Sequence, residues 1–170
     1  MKTINYLTVL FLLTVLSSCN EEQKIPSNPA AYVIPKPLET IVKEGSFTLK
    51  PSTKVYYTDE ALIEAARFLT EKIETSTGFK LNTERQESAK KGILLTKGAS
   101  ADLGEEGYTF SITPKLITIS GVTDKGVFYG IQTLRQLFPP EFESRDVVSG
   151  IDWTLPCVEI RDKPRFVYRG

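Results

Sequence analysis

The chain of 170 residues contains no histidine and only two cysteines, and its positive and negative charges balance at 21 each. Without histidine, the sequence lacks the commonest general base and the commonest metal ligand. Cys19 and Cys157 are too few and too far apart for a zinc site or a disulfide framework, and a nucleic-acid-binding protein usually has a basic surface that this composition does not supply. We therefore expect no metal site, no cofactor and no nucleic-acid partner, in a chain long enough for one ordinary domain.

The first 31 residues are expected to lie outside the fold. Lys2 precedes the apolar run Leu7–Leu16, whose ten residues are too few to cross a bilayer core of about 30 Å as a helix. Residues 1–18 are therefore interpreted as a signal peptide. The run ends in Leu16-Ser17-Ser18-Cys19, which resembles a bacterial lipobox and implies cleavage before Cys19 and a lipid on that residue. The alternative is an ordinary secretory signal with a chance cysteine.

A lipid on Cys19 would place the protein in the bacterial cell envelope. We expect anchoring at the outer membrane, facing either the periplasm or the exterior. Residues 19–31 are polar, contain two prolines and show no periodicity, which is typical of a flexible tether. The second cysteine, Cys157, falls in a short apolar run, Pro156–Ile160, and is predicted to be a small buried hydrophobic residue of a strand.

Residues 32–160 alternate short β-rich runs with two helical patterns and are predicted to form one α+β domain. Apolar residues at helical spacing predict helices over about Asp59–Thr77 and Lys125–Phe138. Tyr108–Ile112 alternates apolar and polar residues, and Leu116–Ser120 follows after a tight turn, so these two strands should pair antiparallel. We predict a mostly antiparallel sheet of four to five strands with both helices packed on one face.

The second helix and the segment after it allow finer predictions. Its buried stripe should comprise Val127, Ile131, Leu134 and Phe138, with Phe128 and Leu137 widening it. Gly126 and Gly130 share one face of this helix, and because a glycine inside a helix costs up to about 1 kcal/mol, a close approach of the helix to the sheet would explain Gly130. The polar segment Glu141–Ser149 is predicted to be a loop.

Three segments, in this order, resemble the domain that precedes the barrel in family 20 glycoside hydrolases, the β-N-acetylhexosaminidases. The segments are Glu106-Gly107-Tyr108, Gly126–Leu137 and Ile160–Gly170. The last of them resembles the Asp-x-Pro-Arg-Phe-x-x-Arg-Gly start of the family's first barrel strand. The resemblance spans roughly Tyr32–Gly170 and implies that residues 161–170 are the truncated start of a catalytic (β/α)8 barrel that is otherwise missing, so that the chain is a fragment.

Together with the lipobox-like segment, the resemblance implies the N-terminal portion of a lipid-anchored enzyme that removes terminal N-acetylhexosamine from glycans. In this family the substrate's own acetamido oxygen attacks the anomeric carbon with retention, an exception to the two-carboxylate scheme. The assisting Asp–Glu pair lies in a His-x-Gly-Gly-Asp-Glu motif that this sequence lacks. We therefore expect no catalytic residue here and no activity from this chain alone. Arg169 matches the arginine that binds sugar hydroxyls, a role available only in a complete barrel.

Two other functions stay open from the sequence. A free-standing, non-catalytic surface lipoprotein could bind glycan or a partner protein through exposed aromatic residues, for which the candidates are Tyr56, Tyr57, Tyr129 and Trp153. Similar domains also precede the barrels of O-GlcNAc-removing enzymes and α-glucuronidases, although the segment Asp162–Gly170 favours family 20.

The polar residues that could suggest a site have simpler interpretations. Asp59-Glu60 is interpreted as a helix cap, and Glu105-Glu106 as a solvated turn whose adjacent side chains diverge. Gly130, Gln132 and Thr133 are interpreted as packing and capping positions of a core helix.

Overall fold

The computed structural model describes residues 33–165, in which seven strands form one mixed sheet. The strands are β1 (Glu39–Thr48), β2 (Val55–Tyr57), β3 (Thr83–Arg85), β4 (Gly92–Lys97), β5 (Tyr108–Ile112), β6 (Leu116–Gly121) and β7 (Thr154–Asp162). Their spatial order is β1-β7-β5-β6-β4-β2-β3. The helices are α1 (Ile63–Thr77) and α2 (Asp124–Leu137), accompanied by 3-10 turns at Glu60–Leu62, Ala101–Leu103 and Pro140–Glu143.

The α+β class is confirmed, but the prediction of four to five mostly antiparallel strands is wrong. Residues 33–165 form seven strands, and β2–β3, β2–β4 and β4–β6 pair parallel, whereas β1–β7, β7–β5 and β5–β6 pair antiparallel. Helix α1 connects β2 to β3 and returns the chain to the same end of the sheet, which makes these neighbours parallel. Strand β3 has three exposed residues and therefore carries no hydrophobic pattern.

Local signals fix the ends of both helices. The Asp59 carboxylate accepts a hydrogen bond from the Ala61 amide at 2.9 Å and caps a 3-10 turn, so α1 proper begins at Ile63 rather than at Asp59. Helix α1 ends at Thr77 because Gly78 adopts a left-handed conformation with φ of 75°. In α2, the hydroxyl of Thr123 accepts from the Lys125 amide at 3.2 Å, which is a typical N-cap.

Both helices pack on the same face of the sheet, as predicted, and they contact each other there. The rings of Phe68 in α1 and Phe128 in α2 lie 5.4 Å apart, while the helices contact β2, β4, β5 and β6. The buried stripes of the two helices, with the residues just before α1 and just after α2, comprise Leu62, Ala66, Leu69, Ile73, Val127, Ile131, Leu134, Leu137 and Phe138. The prediction that Phe128 widens this stripe is wrong: the residue is 42% exposed and lies outside the buried core, where its ring contacts Phe68 of α1.

The segment predicted to be a polar loop contributes a core residue. Phe142, in the 3-10 turn Pro140–Glu143, is 0% exposed. Its ring stacks on Phe138 with centroids 4.2 Å apart and meets the edge of Trp153 at 6.1 Å. This aromatic cluster closes the core beyond the end of α2, so the expectation of a loop over Glu141–Ser149 fails at its beginning.

Candidate functional site

The described parts of the three segments that carry the family resemblance, of which the third is described only as far as Arg165, meet at one end of the sheet, where β1 begins and β7 ends. They line a cleft of about 220 Å³, which we call the junction cleft. Residues before β1, at the start of β5, on α2 and at the end of β7 line it: Val33, Ile34, Tyr108, Thr133, Gln136 and Asp162. The cleft is therefore formed where the chain enters and leaves the described fold.

A chain of hydrogen bonds through the Tyr108 hydroxyl joins three of these elements. The Tyr108 Oη and Thr133 Oγ1 atoms lie 2.6 Å apart, and the same hydroxyl donates to Oδ2 of Asp162 at 3.4 Å. The other oxygen of Asp162, Oδ1, accepts from the Leu38 amide at 3.1 Å. Because Thr133 is buried, an unpaired hydroxyl there would cost about 1–3 kcal/mol. Thr133 is thus a packing residue, as the sequence predicted.

Gln136 of α2 ties down the segment that precedes β1. Its Oε1 accepts from the Ile34 amide at 2.8 Å, and its Nε2 donates to the Ile34 carbonyl at 3.1 Å. Beyond β7, Nη2 of Arg165 donates to the Lys36 carbonyl at 3.4 Å. The segments that enter and leave the domain are therefore held against each other and against α2.

The motif glycines set how closely α2 approaches its neighbours. A Cβ atom on Gly130 would lie 2.3 Å from Cγ2 of Ile119 and 3.3 Å from the Tyr108 ring. A Cβ on Gly126 would lie 2.2 Å from the carbonyl oxygen of Gly107. The predicted close approach at Gly130 is confirmed. The contact at Gly126 is less adaptable, because its neighbour is a backbone carbonyl, which moves less readily than a side chain. The segments Glu106-Gly107-Tyr108 and Gly126–Leu137 thus pack directly against each other.

The acidic pairs do not form an acid–base site. A hydrogen bond from Lys97, and then one from the Ala61 amide, hold the pKa of Asp59 below its usual range, which favours the charged form and makes a poor general acid. Glu105 sits at a turn, where its carbonyl accepts from Thr123 Oγ1 at 2.7 Å. Three ion pairs engage these carboxylates: Asp59–Lys97 at 2.7 Å, Glu60–Arg85 at 3.3 Å and Glu105–Lys125 at 3.5 Å.

The aromatic candidates do not form an exposed platform. Tyr56 and Trp153 are buried, and Tyr57 and Tyr129 are half-buried. Cys157 is buried as predicted, and burial raises the pKa of its thiol. Between residues 33 and 165 we find no group of His, Cys, Asp and Glu that could hold a metal ion. Neither helix of that range is both long and apolar enough to cross a membrane.

Two predicted sites lie outside the residues that the structure describes. They are Cys19, the expected lipid attachment site, and Arg169, the expected sugar-binding residue. The sequence analysis did not predict the hydrogen bonds by which Tyr108 and Gln136 connect the elements around the junction cleft. Both residues lie within the family segments quoted above, so the sequence did mark them.

Comparison with known proteins agrees with the resemblance. The sequence model described as "Glycosyl hydrolase family 20, domain 2" matches residues 30–163. A β-hexosaminidase of Porphyromonas gingivalis is 32% identical over 175 aligned positions, which cover 100% of this chain and 22% of that protein. A β-hexosaminidase of Vibrio vulnificus is 34% identical, with 83% of this chain and 14% of that protein covered. The chain therefore spans less than a quarter of the length of these relatives.

Solved structures give the same result. The family 20 β-N-acetylhexosaminidase from Streptomyces coelicolor A3(2) superimposes with a TM-score of 0.76 at 27% identity, over 84% of this chain and 28% of that one. The β-N-acetylhexosaminidase from Bacteroides fragilis superimposes with a TM-score of 0.57 at 28% identity, over 78% and 25% of the two chains.

Proposed function

We propose, because this chain belongs to glycosyl hydrolase family 20, that its described residues are the non-catalytic domain of a β-N-acetylhexosaminidase. In this proposal a catalytic barrel in the same protein removes terminal N-acetylhexosamine from glycans by substrate-assisted, retaining hydrolysis. The observation that carries the proposal is the junction cleft. Its motif residues Tyr108, Thr133 and Asp162 are hydrogen-bonded to one another, so they serve to connect the elements at this end of the domain.

The domain's role in such an enzyme is to hold the barrel in a fixed orientation. Asp162, the last residue of β7, is held by Leu38 and Tyr108, so the polypeptide leaves the domain in a defined direction. Apolar side chains are exposed around this point: Ile34 is 77% exposed and Leu38 55%. An exposed apolar surface of this kind is typical of an interface. We propose that the barrel covers it.

We expect this chain alone to have no glycosidase activity. The His-x-Gly-Gly-Asp-Glu motif that supplies the acid and the acetamido-orienting carboxylate is absent from the sequence, and Asp59, Glu60 and Glu105 are engaged in ion pairs. The purified chain should leave a chromogenic N-acetyl-β-glucosaminide uncleaved. The control is a mock purification from the same host without the gene. Turnover that co-purifies with the chain and exceeds this control would contradict the proposal.

We also propose that the protein is lipid-anchored through Cys19 in the bacterial cell envelope, at the outer membrane. The support is the segment Leu16-Ser17-Ser18-Cys19 after an apolar run. A diacylglyceryl group has two acyl chains, which is enough for stable anchoring. Metabolic labelling with a fatty-acid probe should therefore mark the wild type and Cys157→Ala, the matched cysteine control, but not Cys19→Ala. Equal labelling of Cys19→Ala would exclude this attachment site.

A further inference from the structure

A second cleft, of about 700 Å³, opens at the end of the sheet opposite the junction cleft. Four lysines line it together with hydroxyl side chains, and no acidic residue does. We call it the lysine cleft, and its charged and hydroxyl-bearing walls include Lys50, Lys54, Lys91, Lys115, Ser46 and Ser52.

The parallel part of the sheet brings these lysines together. Lys54 immediately precedes β2, Lys91 immediately precedes β4 and Lys115 immediately precedes β6. These three strands are parallel neighbours, so their amino ends lie at the same end of the sheet, and adjacent strands are about 5 Å apart. The result is a row of positive charges, and Lys50 adds another beside it.

Backbone hydrogen bonds hold the base of this row. The Gly92 amide donates to the Lys115 carbonyl at 2.8 Å, and the Ile93 amide donates to the Lys54 carbonyl at 2.9 Å. Gly92 has φ of 100°, and a Cβ there would lie 2.5 Å from the Lys54 carbonyl oxygen. The three strand starts are therefore fixed in position, and the row does not depend on a mobile loop.

Most of this charge is not neutralised by the protein. Lys54 pairs with Glu84 at 3.1 Å, and this hydrogen bond raises the pKa of Lys54. Within residues 33–165, Lys50, Lys91 and Lys115 form no ion pair. The whole chain has zero formal net charge, so this positive cluster is a local feature. A cleft lined by charge of one sign concentrates the field and attracts the opposite charge.

We propose that the lysine cleft binds an acidic polysaccharide, a linear chain with sulfate or carboxylate groups. A row of ammonium groups at spaced positions fits repeated anionic groups along a polymer better than a single small anion. Its concave shape, with serine hydroxyls on the wall, fits a polymer chain better than a flat membrane surface. The choice of a glycan among linear polyanions rests on the proposed function, in which glycans are the substrate class.

The test measures binding of a fluorescent chondroitin sulfate hexasaccharide to the full chain in neutral detergent by anisotropy. The cleft variant is Lys50→Gln, Lys91→Gln and Lys115→Gln. The matched control removes the same charge at exposed lysines outside the cleft: Lys36→Gln, Lys80→Gln and Lys125→Gln. We expect binding at about 0.02 M salt, at least a tenfold loss in the cleft variant, less than a twofold loss in the control, and release at about 0.5 M salt, where charges are strongly screened.

Three results would overturn the proposal. The two triple variants could lose affinity equally, which would mean diffuse attraction to surface charge. A neutral chitin oligosaccharide could displace the fluorescent hexasaccharide as well as the unlabelled sulfated one does, which would mean that charge is not recognised. Vesicles of anionic phospholipid could bind through the cleft while the hexasaccharide does not, which would mean that the ligand is a membrane surface.

A separate measurement keeps this proposal distinct from the proposed function. In a complete enzyme, the cleft variant should hydrolyse a small chromogenic N-acetylglucosaminide at an unchanged rate, because the cleft lies at the opposite end of the sheet from the point where the chain leaves the domain. Absence of cleft-dependent hexasaccharide binding in an active enzyme contradicts only the lysine cleft. Cleft-dependent binding by a complete, folded protein that shows no hexosaminidase activity contradicts only the proposed function.

Discussion

Phe142→Ala is expected to lower the free energy of unfolding by about 3–5 kcal/mol, the usual range for removing a fully buried phenylalanine. The substitution deletes the ring that stacks on Phe138 and meets the edge of Trp153. Because the cluster closes the core at the end of α2, the surroundings have little freedom to collapse into the space. Urea denaturation of the chain, followed by fluorescence, measures the change.

The matched control is Phe128→Ala, which removes the same atoms from a side chain that is 42% exposed. We expect a smaller loss there, about 1–2 kcal/mol, because the ring is partly exposed although it contacts Phe68 of α1. Equal losses at the two positions would mean that the segment Pro140–Glu143 does not pack as described.

Gly126→Ala is expected to lower the free energy of unfolding by about 2 kcal/mol or more. Alanine would favour the helix by up to about 1 kcal/mol over glycine, so intrinsic propensity predicts the opposite sign. Packing should dominate, because the new methyl group would lie 2.2 Å from the Gly107 carbonyl oxygen. Overpacking of a tight contact costs about 1–3 kcal/mol even after relaxation, and here the firm neighbour is backbone. Thermal and urea unfolding should both report the loss.

Lys125→Ala is the control for this change, because it adds alanine at the preceding, exposed position of the same helix. It should alter the free energy of unfolding by no more than about 0.5 kcal/mol. If Gly126→Ala instead stabilises the chain, α2 does not approach the Gly107 backbone as closely as the structure indicates.

The sequence predicted the local part of this fold well. Strands β5 and β6 and helix α2 follow one another through short turns, so alternation, glycine and helical spacing were enough to place each within one or two residues. Their packing was also accessible: Tyr108, Phe110 and Ile112 are buried as the alternation predicted. Phe128 was wrongly predicted to be buried, because the apolar character of a residue beside the stripe does not determine whether its side chain is covered.

The non-local part was not predictable in the same way. Most of β1 is exposed, and β3 is fully exposed, so neither carries the apolar pattern of a core strand. The parallel pairings depend on where helix α1 returns the chain. Phe142 stands between Glu141 and Glu143, so the polar neighbours hide a burial that depends on contacts with Phe138 and Trp153.

The two clefts differ in the same respect. The junction cleft was partly predictable, because each segment that forms it could be recognised by its family resemblance, although the segments are far apart in sequence. The lysine cleft was not visible, because Lys54, Lys91 and Lys115 are far apart in sequence. They form a row only once β2, β4 and β6 are known to be parallel neighbours. Charge counting over the whole chain, which gives zero, hides such a cluster.

A graft tests most directly whether this domain serves a family 20 catalytic barrel. Residues 30–163 would replace the matching segment of the Porphyromonas gingivalis β-hexosaminidase, and hydrolysis of a chromogenic N-acetyl-β-glucosaminide would be measured. Our account predicts that the graft is active, that the relative without this segment is inactive or insoluble, and that the Phe142→Ala graft loses activity at a lower temperature. A folded, soluble graft no more active than the soluble relative without the segment would contradict the account.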